Sequence, residues 1–360
     1  MRKLHILSAK PGDRLARPIL QENGNVLLGV GVELNERFLN RLQMLGVDML
    51  FVDDPLTEDL EPETAIHDNT RKEAHDAVFK TMNTLKDHPM TKGRTIAPEM
   101  GRTFRNVFGQ IMQDLVNRED VMVSLTNIQV ADGYLFQHSV NVAILSGIMG
   151  LARGYSRNQL EELGMGALLY DIGMTRLPKE ILNKTVPLTL EERVLMEKHT
   201  EEGFNIIRAQ HDISLLSAHC AFQHHERYDG TGYPRRLKGD AIHEYAQIVA
   251  LADVYDALTS PRPHRKRYTP TEAIEFLFAA GNTFFNLDLI QTFCKHISIY
   301  PVATTVLLSS GQIGVVALNN PLAVNRPIVR ILREADGTPP SQPYQIDLKD
   351  SHSLMIVNEM

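Results

Sequence analysis

From about residue 65 to residue 298 the apolar residues recur at helical spacing almost without interruption. ETAIHDNTRKEAHDAVFKTMNTLKD, EMGRTFRNVFGQIMQDLVNRED and TLEERVLMEKHTEEGFNIIRAQ each read as an amphipathic helix with one apolar face. GYLFQHSVNVAILSGIMGLARG is the most apolar of the series and is expected at the centre. Helices with single apolar stripes must bury them against one another, so this stretch points to a helical bundle. Thr189 stands where an N-cap belongs, ahead of an acidic first turn, and Pro270 opens a later helix near its first turn.

The flanks read differently. Residues 1–53 carry turn signals at Gly12-Asp13 and Gly24-Asn25, a helical segment closed by Gly46, and a short apolar strand, MLFVDD. They form a small accessory module containing β-structure. Residues 54–64 are acidic, hold two prolines with the residue run DPLTEDLEPET, and read as a linker. Residues 299–360 hold apolar runs (TTVLLSSGQIGVVAL, RPIVRIL, SLMIV) separated by Gly, Asn and Pro, the pattern of a small antiparallel β unit. The expected architecture is mainly α, a helical domain at 65–298 flanked by small N-terminal α/β and C-terminal β modules.

A net charge of −7 argues against a nucleic-acid partner. The longest apolar stretch, 139–152, is interrupted by Asn141, Ser146 and Gly147 and is too short to span a bilayer, and the first residues lack the apolar core of a signal peptide. A cytoplasmic, membrane-free protein is therefore expected. Cys220 and Cys294 form no CxxC and read as reduced thiols. A homodimer is left open.

Chemistry concentrates in the helical region. Asp171 in ALLYDIG and Asp253 in IVALADVYDAL are charges in apolar surroundings, costly to bury unless paired or bound to metal. His138, His199 and the adjacent His224 and His225 lie on neighbouring helical segments. Together they make a set of nitrogen and oxygen ligands suited to zinc, iron, manganese or nickel. Next to the histidine pair runs Gly230-Thr231-Gly232-Tyr233-Pro234, then Arg235, Arg236 and Lys238, a loop suited to a bound phosphate. His5, His67, His75, His88, His211 and His352 sit in polar or terminal contexts, and His219 lacks further ligands nearby in the sequence.

HSVNVA (138–143), LLYDIG (168–173), LPKEILNK (177–184), MEKHTEEG (196–203), QHHERYDGTGYPRRLKG (223–239) and ADVYDALTSPRPHRK (252–266) together resemble the HD-GYP family of metal-dependent phosphohydrolases, with core motifs between 125 and 290. The resemblance implies an HD-type helical bundle that hydrolyses cyclic di-GMP in bacterial signalling, with two divalent cations, iron or manganese. It implies His138, Asp171, His199, His224, His225 and Asp253 as metal ligands, Asp171 bridging the two ions and so taking part in catalysis. It places Gly232, Tyr233, Pro234, Arg235, Arg262, Arg265 and Lys266 at the substrate. A partner carrying a diguanylate cyclase (GGDEF) domain, docking on the Gly-Tyr-Pro loop, is a further implication. The chain departs from the family at Tyr170, where the HD histidine would stand, at Met174 in place of a lysine, and at Tyr134 in place of a glutamate some members carry. Tyr134 argues against a third ion. Tyr170 is a further candidate ligand, and if its position holds no ion the count falls to one. Slow turnover, or a non-catalytic protein that binds metal or nucleotide and signals through protein contacts, follows from Tyr170 and Met174.

Overall fold

The computed structural model describes residues 1–21, 26–60, 65–87, 99–116, 130–131, 134–182, 184, 186–260, 267–320 and 323–360. The N-terminal module consists of β1 (Arg2–His5), β2 (Ile19–Gln21), β3 (Val26–Leu28), α1 (Glu36–Met44) and β4 (Met49–Val52). β1 pairs antiparallel with β4, and Leu4, Leu15, Leu34, Leu42 and Leu50 form its own small core. Asn35 caps α1 by accepting from Phe38 N.

Residues 55–60 depart from the linker expectation. Pro55–Thr57 form a 3₁₀ turn, Thr57 is buried, and Leu60 packs against Val315, Ala317 and Leu332. Arg330 donates both Nη1 and Nη2 to the Asp59 carboxylate at 2.6 Å. The acidic composition that suggests a solvated linker instead supplies the partner of a cation on the C-terminal sheet.

The helical region runs through α2 (Asp68–Asp87), α3 (Met100–Val116), β5 (Val130–Ala131), α4 (Tyr134–Ala152), α5 (Arg157–Leu169), α6 (Lys179–Leu182), α7 (Leu190–Glu197), α8 (His199–Arg208), α9 (Leu215–Gln223), α10 (Glu244–Thr259), α11 (Pro270–Ala279) and α12 (Leu287–Lys295). β5 adds to β2 in parallel, a pairing too short to leave a sequence pattern. The most apolar segment is the central helix: Val140, Val142, Ile144, Leu145 and Ile148 of α4 are all buried. Capping boxes open α5 (Ser156 with Gln159), α7 (Thr189 with Glu192) and α11 (Thr269 with Glu272), each satisfying backbone donors that would otherwise be orphaned. Among the described residues no helix is long and apolar enough to cross a membrane.

The C-terminal unit is a five-stranded antiparallel sheet of β6 (Thr305–Leu308), β7 (Ile313–Leu318), β8 (Ile328–Arg333), β9 (Gln345–Asp347) and β10 (Ile356–Glu359), ordered β10-β6-β7-β8-β9. It meets the N-terminal module directly: Lys3 N donates to Ala303 O and His5 N to Met360 O, both at 2.7 Å. The two flanking modules are thus joined through their backbones.

Candidate metal centre

Asp171 is positioned by glycine. It follows α5 at the start of a 3₁₀ segment, Ile172–Arg176, that lies against the backbone of α8. A Cβ on Gly173 would stand 2.5 Å from Gly203 N and 2.8 Å from the carbonyl carbon of His199, and closer still to His199 O. Only a residue without a side chain allows that approach, and it carries the Asp171 carboxylate to His199. Asp171 Oδ1 lies 3.6 Å from His199 Nε2 and 3.7 Å from His224 Nε2.

The two imidazoles are oriented by their other nitrogens. His199 Nδ1 lies 2.7 Å from Met196 O, and His224 Nδ1 lies 3.0 Å from both Cys220 O and Ala221 O. A carbonyl only accepts, so each Nδ1 carries the proton, and in the neutral ring each Nε2 presents a lone pair. Those two Nε2 atoms are 3.3 Å apart. His225 brings a third nitrogen, all three lying within 4.8 Å of one another. Lone pairs and a carboxylate oxygen converging in this way repel unless a cation or proton stands between them. Asp171 Oδ1 is buried with no donor in hydrogen-bonding distance among the described residues, an arrangement that a cation would satisfy. Nitrogens held about 2.0–2.1 Å from one ion at a tetrahedral angle stand roughly 3.3 Å apart, so the set fits a divalent cation.

The protonation states agree. Burial lowers the pKa of His199, and burial with the neighbouring imidazoles of His224 and His199 takes His225 well below the ordinary range, so both are neutral at pH 7. Burial alone would raise Asp171, but the His224 and His199 imidazoles hold it below the usual carboxylate range. Neutral imidazoles beside an ionised carboxylate are the ligand state that metals require.

The second half of the cluster is tied by hydrogen bonds. His138 Nε2 lies 2.7 Å from Asp253 Oδ1, and the Tyr170 hydroxyl donates to the same oxygen at 3.0 Å. His138 Nδ1 lies 2.6 Å from Asp256 Oδ2. Burial works against charge on His138, but the bonds to Asp253 and Asp256 push its pKa up to about 10. Tyr170 is fully buried, its ring edge-on to His224 with centroids 4.9 Å apart and to His138 at 6.2 Å. It thus sits between the two halves.

The glycine-rich loop closes over His225. The Tyr233 ring lies 4.8 Å from that of His225, and Tyr233 N donates to His225 O. Gly232 is obligatory, since a Cβ there would lie 2.6 Å from the carbonyl carbon of Glu226 and closer to two further backbone atoms. Buried Glu226 holds the far side, its two carboxylate oxygens accepting from Arg235 N at 2.7 Å and Leu237 N at 2.9 Å. Pro234 is half-buried, and the Arg235 and Arg236 side chains project into solvent.

All six expected ligands, with Tyr170, are brought to one place. Arg262, Arg265 and Lys266, expected at the substrate, lie outside the described residues, as does the side chain of Tyr134. Sequence reasoning missed Asp256. Its signal was its place one helical turn after Asp253, in the apolar run VYDAL.

Fold and donor set together define a helical bundle built around a histidine–aspartate cluster. The chain carries an HD domain, in line with the HD-GYP motifs: residues 112–286 match the family model described as HD domain, and residues 305–360 match the one described as KOW domain associated with HD domain. A Pseudomonas aeruginosa protein named cyclic di-GMP phosphodiesterase PA4108 is 34% identical over 241 residues, covering 66% of this chain and 58% of that protein. A Vibrio cholerae protein named 3'3'-cGAMP-specific phosphodiesterase 2 is 30% identical over 200 residues, covering 55% of this chain and 38% of that protein. The chain thus spans about half the length of these relatives. The solved structure of Bd1817, described as an HDG"Y"P protein from Bdellovibrio bacteriovorus, aligns with a TM-score of 0.50 at 18% identity, covering 81% of this chain and 97% of that one, and shows the shared fold.

Proposed function

We propose that the chain is a metal-dependent phosphodiesterase acting on cyclic di-GMP. The observation that carries this reading is the convergence of Asp171 Oδ1 with the Nε2 atoms of His199 and His224, each ring locked by a carbonyl behind it. His199, His224, His225 and Asp171 would hold one divalent cation, iron or manganese. His138, Asp171 and Asp253 would hold a second, with Tyr170 beside it. When bound, the cations supply Lewis acidity toward phosphoryl oxygens and acidify water.

The residues of the chain do the rest. Asp171 is shared by both positions and stays ionised. Tyr233 covers His225 and limits solvent access from the loop side. Gly232, Tyr233 and Pro234 shape the rim, where Arg235 offers a cation to a phosphate, joined in the sequence by Arg262, Arg265 and Lys266. The relatives' names divide between cyclic di-GMP and 3'3'-cGAMP, two cyclic dinucleotides with the same pair of bridging phosphates. The centre described here would act on that shared phosphodiester.

A second reading has its own observation. The Tyr170 hydroxyl occupies Asp253 Oδ1, and Met174 supplies no charge near the scissile phosphate, so the chain would bind metal and nucleotide without turnover and signal through a protein partner such as a diguanylate cyclase. One experiment separates the two. Protein loaded anaerobically with Fe²⁺ or Mn²⁺, its metal content measured, is incubated with cyclic di-GMP and the products are resolved by chromatography. Linear dinucleotide or GMP, lost in His224→Ala, is expected. Full metal occupancy with no product over many hours refutes the enzyme reading. Activity appearing only in the Tyr170→His, Met174→Lys double variant identifies those two positions as the cause.

A further inference from the structure

Behind His138 runs a chain of buried polar groups that leads out of the matched HD domain. His138 Nδ1 meets Asp256 Oδ2 at 2.6 Å. Asn141 Nδ2 donates to the other oxygen, Asp256 Oδ1, at 2.9 Å. Arg71 Nη1 donates to Asn141 Oδ1 at 2.9 Å. Arg71, on the first turns of α2, lies upstream of residues 112–286 and is only 3% exposed.

A guanidinium in such a place is costly and needs a reason. Among the described residues Arg71 forms no ion pair with a carboxylate, and its Nη2 is buried without a partner. Burial pulls its pKa down to about 10, with Asp68 and then Asp256 opposing that fall. Stability alone does not account for it.

Its hydrogen bond does one specific thing. An asparagine amide can face either way, and Gln137, which also reaches Asn141 Oδ1 at 3.0 Å, is itself an amide with the same ambiguity. Arginine can only donate. Arg71 therefore compels Asn141 to turn its oxygen toward α2 and its NH₂ toward Asp256. With the amide reversed, an oxygen would face Asp256 Oδ1, and the carboxylate would have to rotate or take a proton. Rotation takes away, and a proton on Oδ1 weakens, the acceptor that keeps the proton of His138 on Nδ1 and leaves Nε2 facing Asp253.

We propose that Arg71 is a positioning residue of the metal centre, acting through Asn141 and Asp256 to hold His138 with Nε2 as its ligating nitrogen. This rests on the reading of His138 as part of that centre. It also makes α2, outside the matched domain, a working part of the site.

The test uses full-length protein labelled with ¹⁵N in its imidazoles and loaded with zinc, the His138 signals being identified by their loss in His138→Gln. Wild type is expected to show Nδ1 protonated and Nε2 ligated. Arg71→Met should lose that Nδ1–H signal and bind zinc at the His138 position at least about tenfold more weakly, while the His199, His224 and His225 signals stay in place. Arg71→Lys, which keeps a donor, should restore the His138 signals. Folded Arg71→Met with unchanged His138 signals and zinc affinity overturns the proposal. If Arg71→Met does not fold, Asn141→Ser carries the test, since it cuts the chain and leaves Arg71 in place: the same change at His138 is expected, and its absence overturns the proposal. Wild type that takes up no zinc overturns the metal reading itself, a result distinct from normal wild-type loading with an indifferent Arg71 variant.

Discussion

Gly173→Ala tests how the centre is assembled without substituting any proposed ligand. The new methyl carbon would stand 2.5 Å from Gly203 N and 2.8 Å from the His199 carbonyl carbon, and closer still to His199 O. These are backbone atoms of α8, so no flexible side chain can move aside. Ordinary contact begins at 3.4 Å, which means the 3₁₀ segment and α8 must separate by about 1 Å or more. Overpacking of this kind costs about 1–3 kcal/mol, or roughly 2–4 °C in Tm for each kcal/mol in a unit of this size. The consequence for the site is sharper. Asp171 Oδ1 and His199 Nε2, now 3.6 Å apart, would move beyond the reach of one shared cation, since ligand distances are held within about 0.2 Å. The assay is elemental analysis after dialysis against manganese, with thermal unfolding of the same sample. Expected are a lower Tm and metal content well below wild type. Gly109→Ala serves as control: that Cβ meets nothing within 4 Å on an exposed face of α3, so metal content should hold and stability should rise by about 0.5–1 kcal/mol. Full metal content and an unchanged Tm in Gly173→Ala would refute the claim that this contact places Asp171.

Glu226→Gln replaces one of two acceptor oxygens with a donor facing a backbone N–H, at Arg235 or Leu237, and should cost about 1–3 kcal/mol. Faster tryptic cleavage after the exposed Arg235 or Arg236 is the readout, and wild-type cleavage rates would count against the clamp. In metal-free protein, His138 is raised from 6.5 to about 10, so its contribution to stability is complete below about pH 6.5 and is lost as pH rises through 10. The stability difference between EDTA-treated wild type and His138→Gln, measured by thermal unfolding, should therefore shrink from pH 7 to pH 10. A difference that grows over that range would contradict the Asp253 and Asp256 pairing.

The helical bundle was legible because its signals are local: apolar spacing in α4, a capping residue at Thr189, Pro270 in a first turn, and glycine and proline at the breaks. The ligands were legible for a related reason. Asp171 and Asp253 stand out as charges in apolar runs, and a pair such as His224-His225 is uncommon. Asp256 was harder to see because Asp253, one turn earlier, already accounted for a charge in that apolar helix. Arg71 was invisible: in RKEAHDAVFK it reads as one more charge on a solvated face, and only the packing of α2 against α4 reveals that it points inward. Leu60 shows the opposite error, an apolar residue in an acidic, proline-bearing stretch whose partner lies on a sheet more than 250 residues away in the chain.

Tyr170 gathers these threads. A histidine at that position would offer a lone pair to a cation, whereas the phenol offers a proton and gives it to Asp253 Oδ1 at 3.0 Å. Asp253 then receives two donors on one oxygen, from Tyr170 and from His138, and its charge is answered by hydrogen bonds. Asp171 Oδ1 is buried with no donor in hydrogen-bonding distance among the described residues, the His199 and His224 Nε2 atoms standing off at 3.6 and 3.7 Å. Histidines hold both carboxylates below the usual range, but only Asp253 has its oxygen engaged in close hydrogen bonds. A cation entering the cluster gains most at Asp171, where it relieves repulsion between lone pairs, and less at Asp253, where it must displace bonds already made. The replacement of one ring nitrogen by a hydroxyl therefore converts a pair of similar positions into a strong one and a weak one, which is the physical basis for expecting the His199, His224 and His225 position to fill first.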